Sequence, residues 1–491
     1  MSGRRIARLL VANRGEIAVR VIRACRALGI SPVAVYSTAD ANARHVAMAD
    51  DAVGIGEAPA RESYLRADKI LDAARATACD AVHPGFGFLS ENAAFARAVK
   101  EAGLVWVGPP PAAIEAMGLK IESRERMKAA GVPVVPGTHD VEDDAAVTAV
   151  GLPAVVKASA GGGGKGMRVV RDRAGLADAL AACRREAGAA FGDATVYLER
   201  YLEKPRHIEV QVFGDETGRV VAMGERECSL QRRHQKVIEE SPSPAVLPDL
   251  RRRLSEAAIA AAKAVGYVNA GTVEFLLAPD GSFYFLEMNT RLQVEHPVTE
   301  EAFGLDLVTL QLRVAQGEPL PAALPEQPIA HAIEARLYAE DADAGFLPQT
   351  GKVLVYDEPR GPGIRVDSGI AAGDEVSVHY DPMLAKIIAR GATREEARRR
   401  LVAALAETVV LGVTTNLSYL RRVLETPEVV RGEIDTGFLE RHAIAPAPAP
   451  PAEVFEAAAW AFASQAEGSA SDHDSAPRFP DPFASPFRAL A

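Results

Sequence analysis

The sequence predicts an α/β protein made of three successive pieces and a tail. Three observations carry that reading. Short apolar runs alternate with helical patterns over residues 6–108, a glycine run and clustered polar strands fill the middle, and strands followed by helices occupy residues 331–444. A length of 491 residues allows about three domains. The content of 48% hydrophobic and 25% charged residues is that of a soluble globular protein. A formal charge of -11 argues against non-specific binding of nucleic acid or an anionic membrane surface, so neither is expected as a partner. Cys25, Cys79, Cys183 and Cys228 are scattered without a CxxC pair, which points to neither a disulfide framework nor a zinc site. The basic N-terminus has an apolar run too short for a secretory signal, and no run is long enough to span a membrane. A cytoplasmic protein is expected.

The elements follow in order. IARLLVA reads as a strand, residues 16–28 as a helix and PVAVYS as a strand. YLRADKILDAARA is then a helix, CDAVHPG a strand end, ENAAFARAVKEAG a helix and LVWVG a strand. Strands separated by helices imply a parallel sheet, a Rossmann-like piece. Because VANRGEIA lacks GxGxxG, a structural role outweighs dinucleotide binding there. In the third piece HAIEARLY, GKVLVYD and EVSVHY read as strands and residues 394–406 and 416–424 as helices, an α+β pattern. APAPAPP then forms a stiff linker, EVFEAAAWAFASQA a short helix, and EGSASDHDSAPRFPDPFASP has a disordered composition.

The middle piece holds the chemistry. In GTVEFLLAPDGSFYFLEMN two β-rich runs flank a turn signal, and a two-residue turn at Asp280-Gly281 sets Glu274 opposite Glu287, with Cβ atoms about 5 Å apart. One carboxyl could be protonated or both could splay into water. Apolar neighbours argue against splaying, and two carboxylates with the Asn289 amide oxygen suit Mg²⁺ or Mn²⁺. Extended-chain alternation in LEMNTRLQVEHPVTE puts Glu287, Asn289, Arg291, Gln293 and Glu295 on one side. In VVKASAGGGGKGMRVV, Gly161, Gly162, Gly163, Gly164 and Gly166 join strand to strand as a phosphate cradle and mobile lid. It is no Walker A loop, since Gly166 follows Lys165. Lys157, at the preceding strand's end, either snorkels or faces a phosphate. In RHIEVQV, His207, Glu209 and Gln211 share a side, and in SLQRRHQKVIEE, Gln231, His234 and Lys236 form a basic cluster suited to an anion.

These stretches occur in order with LLVANRGEIAVRVIRA, HPGFGFLSEN, YLERYLEKPRHIEVQV and YDPMLAKI over about residues 5–444. The chain thereby resembles biotin carboxylase, the ATP-grasp enzyme or subunit that carboxylates biotin in acyl-CoA and pyruvate carboxylases. The resemblance implies a Rossmann-like pre-ATP-grasp domain at 1–115 and an ATP-grasp domain at 116–330, with its lid at about 136–204. A biotin carboxylase C-terminal domain at 331–444 and a Pro/Ala-rich linker and tail at 445–491 complete the division. It implies that Lys120 and Lys157 contact the ATP phosphates under Gly162, Gly163 and Gly164, that Glu199 and Leu202 flank the adenine, and that His207, Gln231 and His234 lie near ribose and phosphates. Glu274, Glu287 and Asn289 would hold two Mg²⁺ or Mn²⁺ ions. Lys236, Arg291, Gln293 and Val294 would gather bicarbonate beside the base Glu295, and Arg336 would face the biotin ureido oxygen. The implied reaction starts with Glu295 deprotonating bicarbonate while Arg291 and Lys236 offset the charge. Attack on the γ-phosphorus gives carboxyphosphate, which breaks to CO₂ and a phosphate able to take the biotin N1 proton, with Arg336 stabilising the enolate.

Phe86 stands where relatives commonly have tyrosine, which leaves a stacking or packing role and no hydroxyl contact to biotin. No Ala-Met-Lys-Met motif is present, so biotin arrives on a carrier outside these residues. A biotin carboxyl carrier domain and a carboxyltransferase subunit are the expected partners, in a homodimer or larger carboxylase complex. The Pro-Ala linker resembles the tether of longer carboxylase α subunits, and the chain is expected to be the catalytic front of one. The rivals are another ATP-grasp ligase, such as a carbamoyl-phosphate synthetase-like enzyme, or a nucleotide-binding module without turnover. The first would lack Arg291, Gln293 and Glu295 together with Arg336, and the second would have lost acids or lysines.

Overall fold

The computed structural model describes residues 5–159, 167–233, 235–446, 451–454 and 456. Its first sheet is parallel, built from β1 (Arg8–Val11), β2 (Ser31–Ser37), β3 (Asp51–Gly56), β4 (Ala81–His83) and β5 (Val105–Trp106) in the order β3-β2-β1-β4-β5. Crossover helices cover both faces, so Leu9, Leu10, Val11, Val33, Ala34 and Val35 are all buried and the strands read as unbroken apolar runs. On one face α1 (Gly15–Ala27) packs Ile17, Val21 and Ile22 at helical spacing. On the other lie α3 (Ala67–Ala76) and α4 (Ala93–Glu101), the latter capped by Asn92, whose side chain accepts from the Phe95 N–H. DAVGIG, which forms β3, and the preceding α2 (Arg44–Met48) were not expected. Both are short and amphipathic only in part.

Beyond α5 (Pro111–Gly118) and α6 (Lys120–Ala129) a four-stranded antiparallel sheet stands apart, in the order β6-β9-β7-β8. It joins β6 (Gly137–Thr138), β7 (Ala154–Ala158), β8 (Met167–Val170) and β9 (Val196–Arg200), with α7 (Asp144–Val150) and α8 (Leu176–Phe191) alongside. This is the segment expected as a lid, and its glycine run connects antiparallel β7 and β8. Gly162, Gly163 and Gly164 lie outside the described residues, as does His234.

The site stands on an antiparallel eight-stranded sheet, order β14-β13-β10-β11-β12-β15-β22-β20. Its strands are β10 (Arg206–Gly214), β11 (Val220–Arg232), β12 (Gln235–Ser241), β13 (Asn269–Leu277), β14 (Phe283–Asn289), β15 (His331–Tyr338), β20 (Ile364–Ser368) and β22 (Met383–Gly391). It therefore runs without a break through residue 331. Alternation sorts its two faces. Ile208, Val210, Val273 and Phe275 face α9 (Pro248–Ala264), while Ile333, Ala335 and Leu337 face α12 (Arg394–Glu407) and α13 (Leu417–Glu425). The polar residues between them point to the opposite face, where α10 (His296–Phe303) packs through Val298, Ala302 and Phe303. Gly224 of β11, at φ +78°, makes room for Phe303: a Cβ there would lie 2.2 Å from the ring. Then α11 (Leu307–Ala315) closes against α1.

β20 and β22 go beyond the strands expected from the sequence, and β22 starts inside the YDPMLAKI motif. GKVLVYD breaks into β18 (Gly351–Lys352) and β19 (Val355–Asp357), and EVSVHY supplies only β21 (Glu375–Val376). These pair locally, β18 with β21 and β19 with β23 (Val409–Leu411), as do the short β16 (Glu340–Asp341) and β17 (Leu347–Pro348) before them. Of the helix expected in the tail, residues 453, 454 and 456 are helical, as is Ala452 before them, and the rest lies outside the described residues.

Candidate active site

The hairpin of β13 and β14 pairs Glu274 with Glu287 as expected, by a different route. The turn is a three-residue loop, with Ala278 N–H donating to the Ser282 carbonyl and Gly281 at φ +82°. That loop shifts Phe275, Leu276 and Leu277 onto Phe285, Tyr284 and Phe283, and an extra residue at Leu286, a β-bulge, restores the register. A second correction concerns the row from Glu287 to Glu295. The strand ends at Asn289, and Glu295 is the N-cap of α10, so alternation does not govern Arg291, Gln293 and Glu295. They converge because the chain turns there.

The pairing continues sideways. Glu287, Glu274, Glu209 and Arg226 are successive cross-strand partners on β14, β13, β10 and β11. Lys236 Nζ collects the carboxylates: Glu209 Oε2 at 2.6 Å, Glu274 Oε1 at 2.9 Å and Glu295 Oε1 at 2.6 Å. Arg226, fully buried, donates to Glu209, to Gln211 at 2.8 Å and to Thr299 at 2.9 Å. Burial works against the Lys236 charge, yet the three carboxylates raise its pKa well above the usual lysine value. Burial also works against the Glu295 carboxylate, and Lys236, Arg336 and Arg226 still hold it well below the usual carboxylate range. Arg336 Nη2 lies 3.0 Å from Glu295 Oε2, so each oxygen of this carboxylate carries one cation.

Arg291 is bracketed. Nη2 donates to Asn289 Oδ1 at 2.9 Å and Nη1 to Gln293 Oε1 at 2.6 Å, while both amide nitrogens donate to Glu274 Oε1 at 2.9 Å. Glu91, which no pattern along the chain singles out, accepts from Arg291 Nε at 3.0 Å through Oε2 and from the Thr290 N–H through Oε1. Glu91 follows β4 at the switch point of the parallel sheet, the usual place for functional loops. Asn13, after β1, ties that loop down by donating to the Pro84 and Phe86 carbonyls at 2.7 Å each. Phe86 packs against the core between α1 and α11, which is the packing role left to it. The Val294 carbonyl accepts from buried Lys386 Nζ at 2.8 Å.

The nucleotide candidates gather where the lid meets α6. Lys157 Nζ donates to Glu199 at 2.6 Å, and Arg124 lies 3.3 Å from the other Glu199 oxygen. Lys120 opens α6, and burial lowers its pKa although Glu287 pulls the other way. Leu202 is half-buried in the connection from β9 to β10. Gln231 is buried opposite Lys236, and His207 Nε2 lies 2.8 Å from Glu274 Oε2, off the line of a hydrogen bond. SLQRRHQKVIEE is a hairpin, not one extended segment, because Arg233 turns at φ +48°.

The donor set fits a divalent metal. Among the described residues Glu287 has no hydrogen-bond or ion-pair partner, and burial together with the facing Glu274 raises its pKa. A hard cation between the two carboxylates would remove that repulsion. Asn289 turns its nitrogen to Glu274 and its oxygen to Arg291, and rotation of the amide would bring the oxygen to the Glu274 side.

Three family models match the chain in sequence order. They are the biotin carboxylase N-terminal domain at residues 5–114, the carbamoyl-phosphate synthase L chain ATP binding domain at 120–323 and the biotin carboxylase C-terminal domain at 334–441. The biotin carboxylase of Halalkalibacterium halodurans is 50% identical over 441 residues, 89% of this chain and 97% of that protein. The mitochondrial methylcrotonoyl-CoA carboxylase subunit alpha of Dictyostelium discoideum is 49% identical over 444 residues, covering 89% of this chain. The chain spans only 64% of that relative's length. A crystal structure of the biotin carboxylase domain dimer of Hydrogenobacter thermophilus 2-oxoglutarate carboxylase, with MgADP, ADP and bicarbonate, superposes with a TM-score of 0.86. It has 43% identity and covers 90% of this chain and 99% of that one. The models on both flanks set the chain apart from carbamoyl-phosphate synthetase-like ligases that share its middle part. The chain belongs to the biotin carboxylase family of ATP-dependent ligases.

Proposed function

We propose that this chain carries out the reaction of its family, ATP-dependent carboxylation of biotin by bicarbonate, on the face where Lys236, Arg291, Glu295 and Arg336 meet. The observation that carries the assignment is Glu295 held between two cations, Lys236 and Arg336. With both oxygens paired it is a weak base. A bicarbonate anion that draws Lys236 or Arg336 to itself raises the proton affinity of Glu295 as it arrives. Arg291, locked by Glu91, Asn289 and Gln293, and Val294, tied to Lys386, complete the anion site.

Lys120 and Lys157 neutralise phosphate oxygens of ATP, with the Lys157–Glu199 pair opening to release the lysine. Glu199 and Leu202 lie at the adenine, and His207 and Gln231 near the ribose and phosphates. Gly162, Gly163, Gly164 and His234 belong to the same set by sequence. Glu274 and Glu287, with Asn289 after rotation of its amide, would hold Mg²⁺ or Mn²⁺, which supplies charge neutralisation at the transferring phosphoryl group. Attack of the deprotonated bicarbonate on the γ-phosphorus gives ADP and carboxyphosphate. Carboxyphosphate breaks to CO₂ and phosphate, the phosphate takes the biotin N1 proton, and CO₂ bonds to N1 while Arg336 offsets the charge on the ureido oxygen.

The domain division expected from the sequence, 1–115, 116–330 and 331–444 with a tail at 445–491, suits this assignment: the first piece delivers Glu91, the second the metal and anion groups, the third Arg336. The biotin is proposed to ride on a separate carrier domain and to pass its carboxyl to a carboxyltransferase subunit, within a dimer like that of the Hydrogenobacter domain. An acyl-CoA carboxylase is the proposed setting, since the relatives include methylcrotonoyl-CoA carboxylase subunits. The relatives include both mitochondrial subunits and a bacterial biotin carboxylase, and cell fractionation tests the cytoplasmic placement proposed here. Among the described residues no helix is long and apolar enough to cross a membrane.

Purified chain mixed with ATP, Mg²⁺, bicarbonate and free biotin tests the central assignment. ADP release should require bicarbonate and rise with biotin. Release indifferent to both would refute it.

A further inference from the structure

Arg336 is held from behind by Glu239, one of a carboxyl pair that none of the steps above uses. Glu239 on β12 and Glu334 on β15 are direct cross-strand partners, and both are 0% exposed. Glu239 Oε1 accepts from Arg336 Nε at 2.6 Å and lies 2.5 Å from Nη2, the nitrogen that also reaches Glu295. Neither oxygen of Glu334, nor Oε2 of Glu239, has a hydrogen-bond partner among the described residues. A buried carboxylate without a partner costs several kilocalories and needs an explanation.

We propose that Glu239, backed by Glu334, is the positioning residue that fixes the Arg336 guanidinium for the biotin-dependent part of the reaction; this rests on the reading of Arg336 given above. A long side chain with a planar fork has many rotamers, and anchoring Nε leaves the outer edge aimed in one direction. The strand behind the fork is pinned as well. Asn416 donates to the Arg336 carbonyl at 3.1 Å and accepts from the Tyr338 N–H at 2.9 Å.

Glu334 makes this arrangement possible by staying neutral. Two carboxyls facing one another across strands and away from water cannot both ionise. The charged groups around Glu334 are Glu239 on β12, Lys386 on β22, Arg336 on its own strand and Glu295 ahead of α10. α10 adds His296, bonded to the Gln293 carbonyl, and Glu300, paired with Arg20 and Arg365. Lys386 is committed to the Val294 carbonyl and lies 3.1 Å from Glu16. Burial pushes Glu239 up to about 7, although Arg336 pulls it down. Burial lifts Glu334 well above the usual range, with Lys386 opposing and Glu239 adding to the rise. The two contacts from Arg336 keep the negative charge on Glu239, and the proton of the pair sits on Glu334, whose oxygens have no partner among the described residues.

Steady-state kinetics of the full chain with free biotin test the proposal. Glu239→Gln should lower kcat/KM for biotin about 10- to 100-fold, as loss of a supporting partner does elsewhere, with KM for ATP and bicarbonate within about twofold. In a double-mutant cycle, Glu239→Gln combined with Arg336→Gln should be no worse than Arg336→Gln alone, because Glu239 acts through Arg336. Glu334→Gln, which mimics the neutral acid, should stay within about threefold of wild type. Should Glu239→Gln not fold, Glu239→Asp keeps the charge and supports the proposal by the same selective loss. Additive losses, or a Glu239→Gln enzyme with unchanged kcat/KM for biotin, overturn it. An unchanged Arg336→Gln enzyme instead refutes the reading of Arg336 and removes this proposal with it.

Discussion

Replacing Glu295 by glutamine separates chemistry from binding at this site. The substitution keeps shape and one acceptor oxygen and removes the negative charge. Neither cation it serves is stranded: Lys236 keeps Glu209 at 2.6 Å and Glu274 at 2.9 Å, and Arg336 keeps Glu239 at 2.6 Å. The folding cost is therefore that of weakened buried hydrogen bonds, about 1–3 kcal/mol. A stranded buried charge would cost about 3–5 kcal/mol. The catalytic cost is larger. A positioned general base contributes about 10²- to 10⁴-fold, or about 3–5 kcal/mol of barrier at 1.36 kcal/mol per decade. None of the nucleotide candidates Lys120, Lys157 and Glu199 bonds to Glu295, so the affinity for ADP should remain within about threefold, as expected for a group used only in the chemical step. Coupled ADP release with saturating bicarbonate and biotin reads the first quantity, and calorimetric titration with MgADP reads the second. Nucleotide affinity that falls in step with turnover, or turnover within tenfold of wild type, would remove Glu295 from the role of base.

Lys236→Met leaves Glu209, Glu274 and Glu295 without their common cation, and denaturant melts at pH 7 should show a loss of about 3–5 kcal/mol that shrinks on acidification as the carboxylates take up protons. Glu287→Gln relieves the carboxylate facing Glu274, so calorimetry in chelator should show a metal-free fold more stable by about 0.5–1 kcal/mol, while Mg²⁺-dependent ATP hydrolysis falls; a loss of stability in chelator would contradict the pairing. Burial holds Glu16 at about 7 against 4.5 for a free carboxyl, although Lys386 pulls it down. The folded state thus keeps a proton that the unfolded chain has lost, and this group costs stability as pH rises from 4.5 to 7. Glu16→Gln should flatten that limb by up to roughly 3 kcal/mol, and an unchanged slope in melts across the range would count against it. Amide exchange over residues 137–200 should slow when ATP is added, as a closing lid requires; identical exchange would argue for a lid that does not close.

What the sequence revealed and what it hid divide along one physical line. Patterns that live on a single strand or helix were legible: α1, α4, α12 and α13 by their spacing, β15 by its alternation, and the carboxylates and amides of β13 and β14 by their types. Contacts made by pairing across strands were not, beyond the single hairpin that sets Glu274 opposite Glu287. Glu209 was visible as a neighbour of His207, but nothing along the chain shows that β10 lies between β13 and β11 and so joins Glu274 to Arg226. Glu91 meets Arg291 from a loop 200 residues away. Glu239 meets Arg336 only because β12 pairs with β15. β22 reads as a buried apolar run broken by a lysine, and Lys386 makes sense only beside Glu16 and Val294, which belong to distant parts of the chain. The Glu274–Glu287 pair shows how narrow the margin is. A three-residue turn moves the register one way, and the bulge at Leu286 moves it back. Without the bulge, Glu287 would have gone to the α9 side of the sheet, among Phe275, Phe283 and Met288 and away from Glu274. The bulge is thus as much a part of the proposed metal site as the carboxylates it aligns, since residue types decide what a site can bind and local backbone geometry decides whether those residues face it.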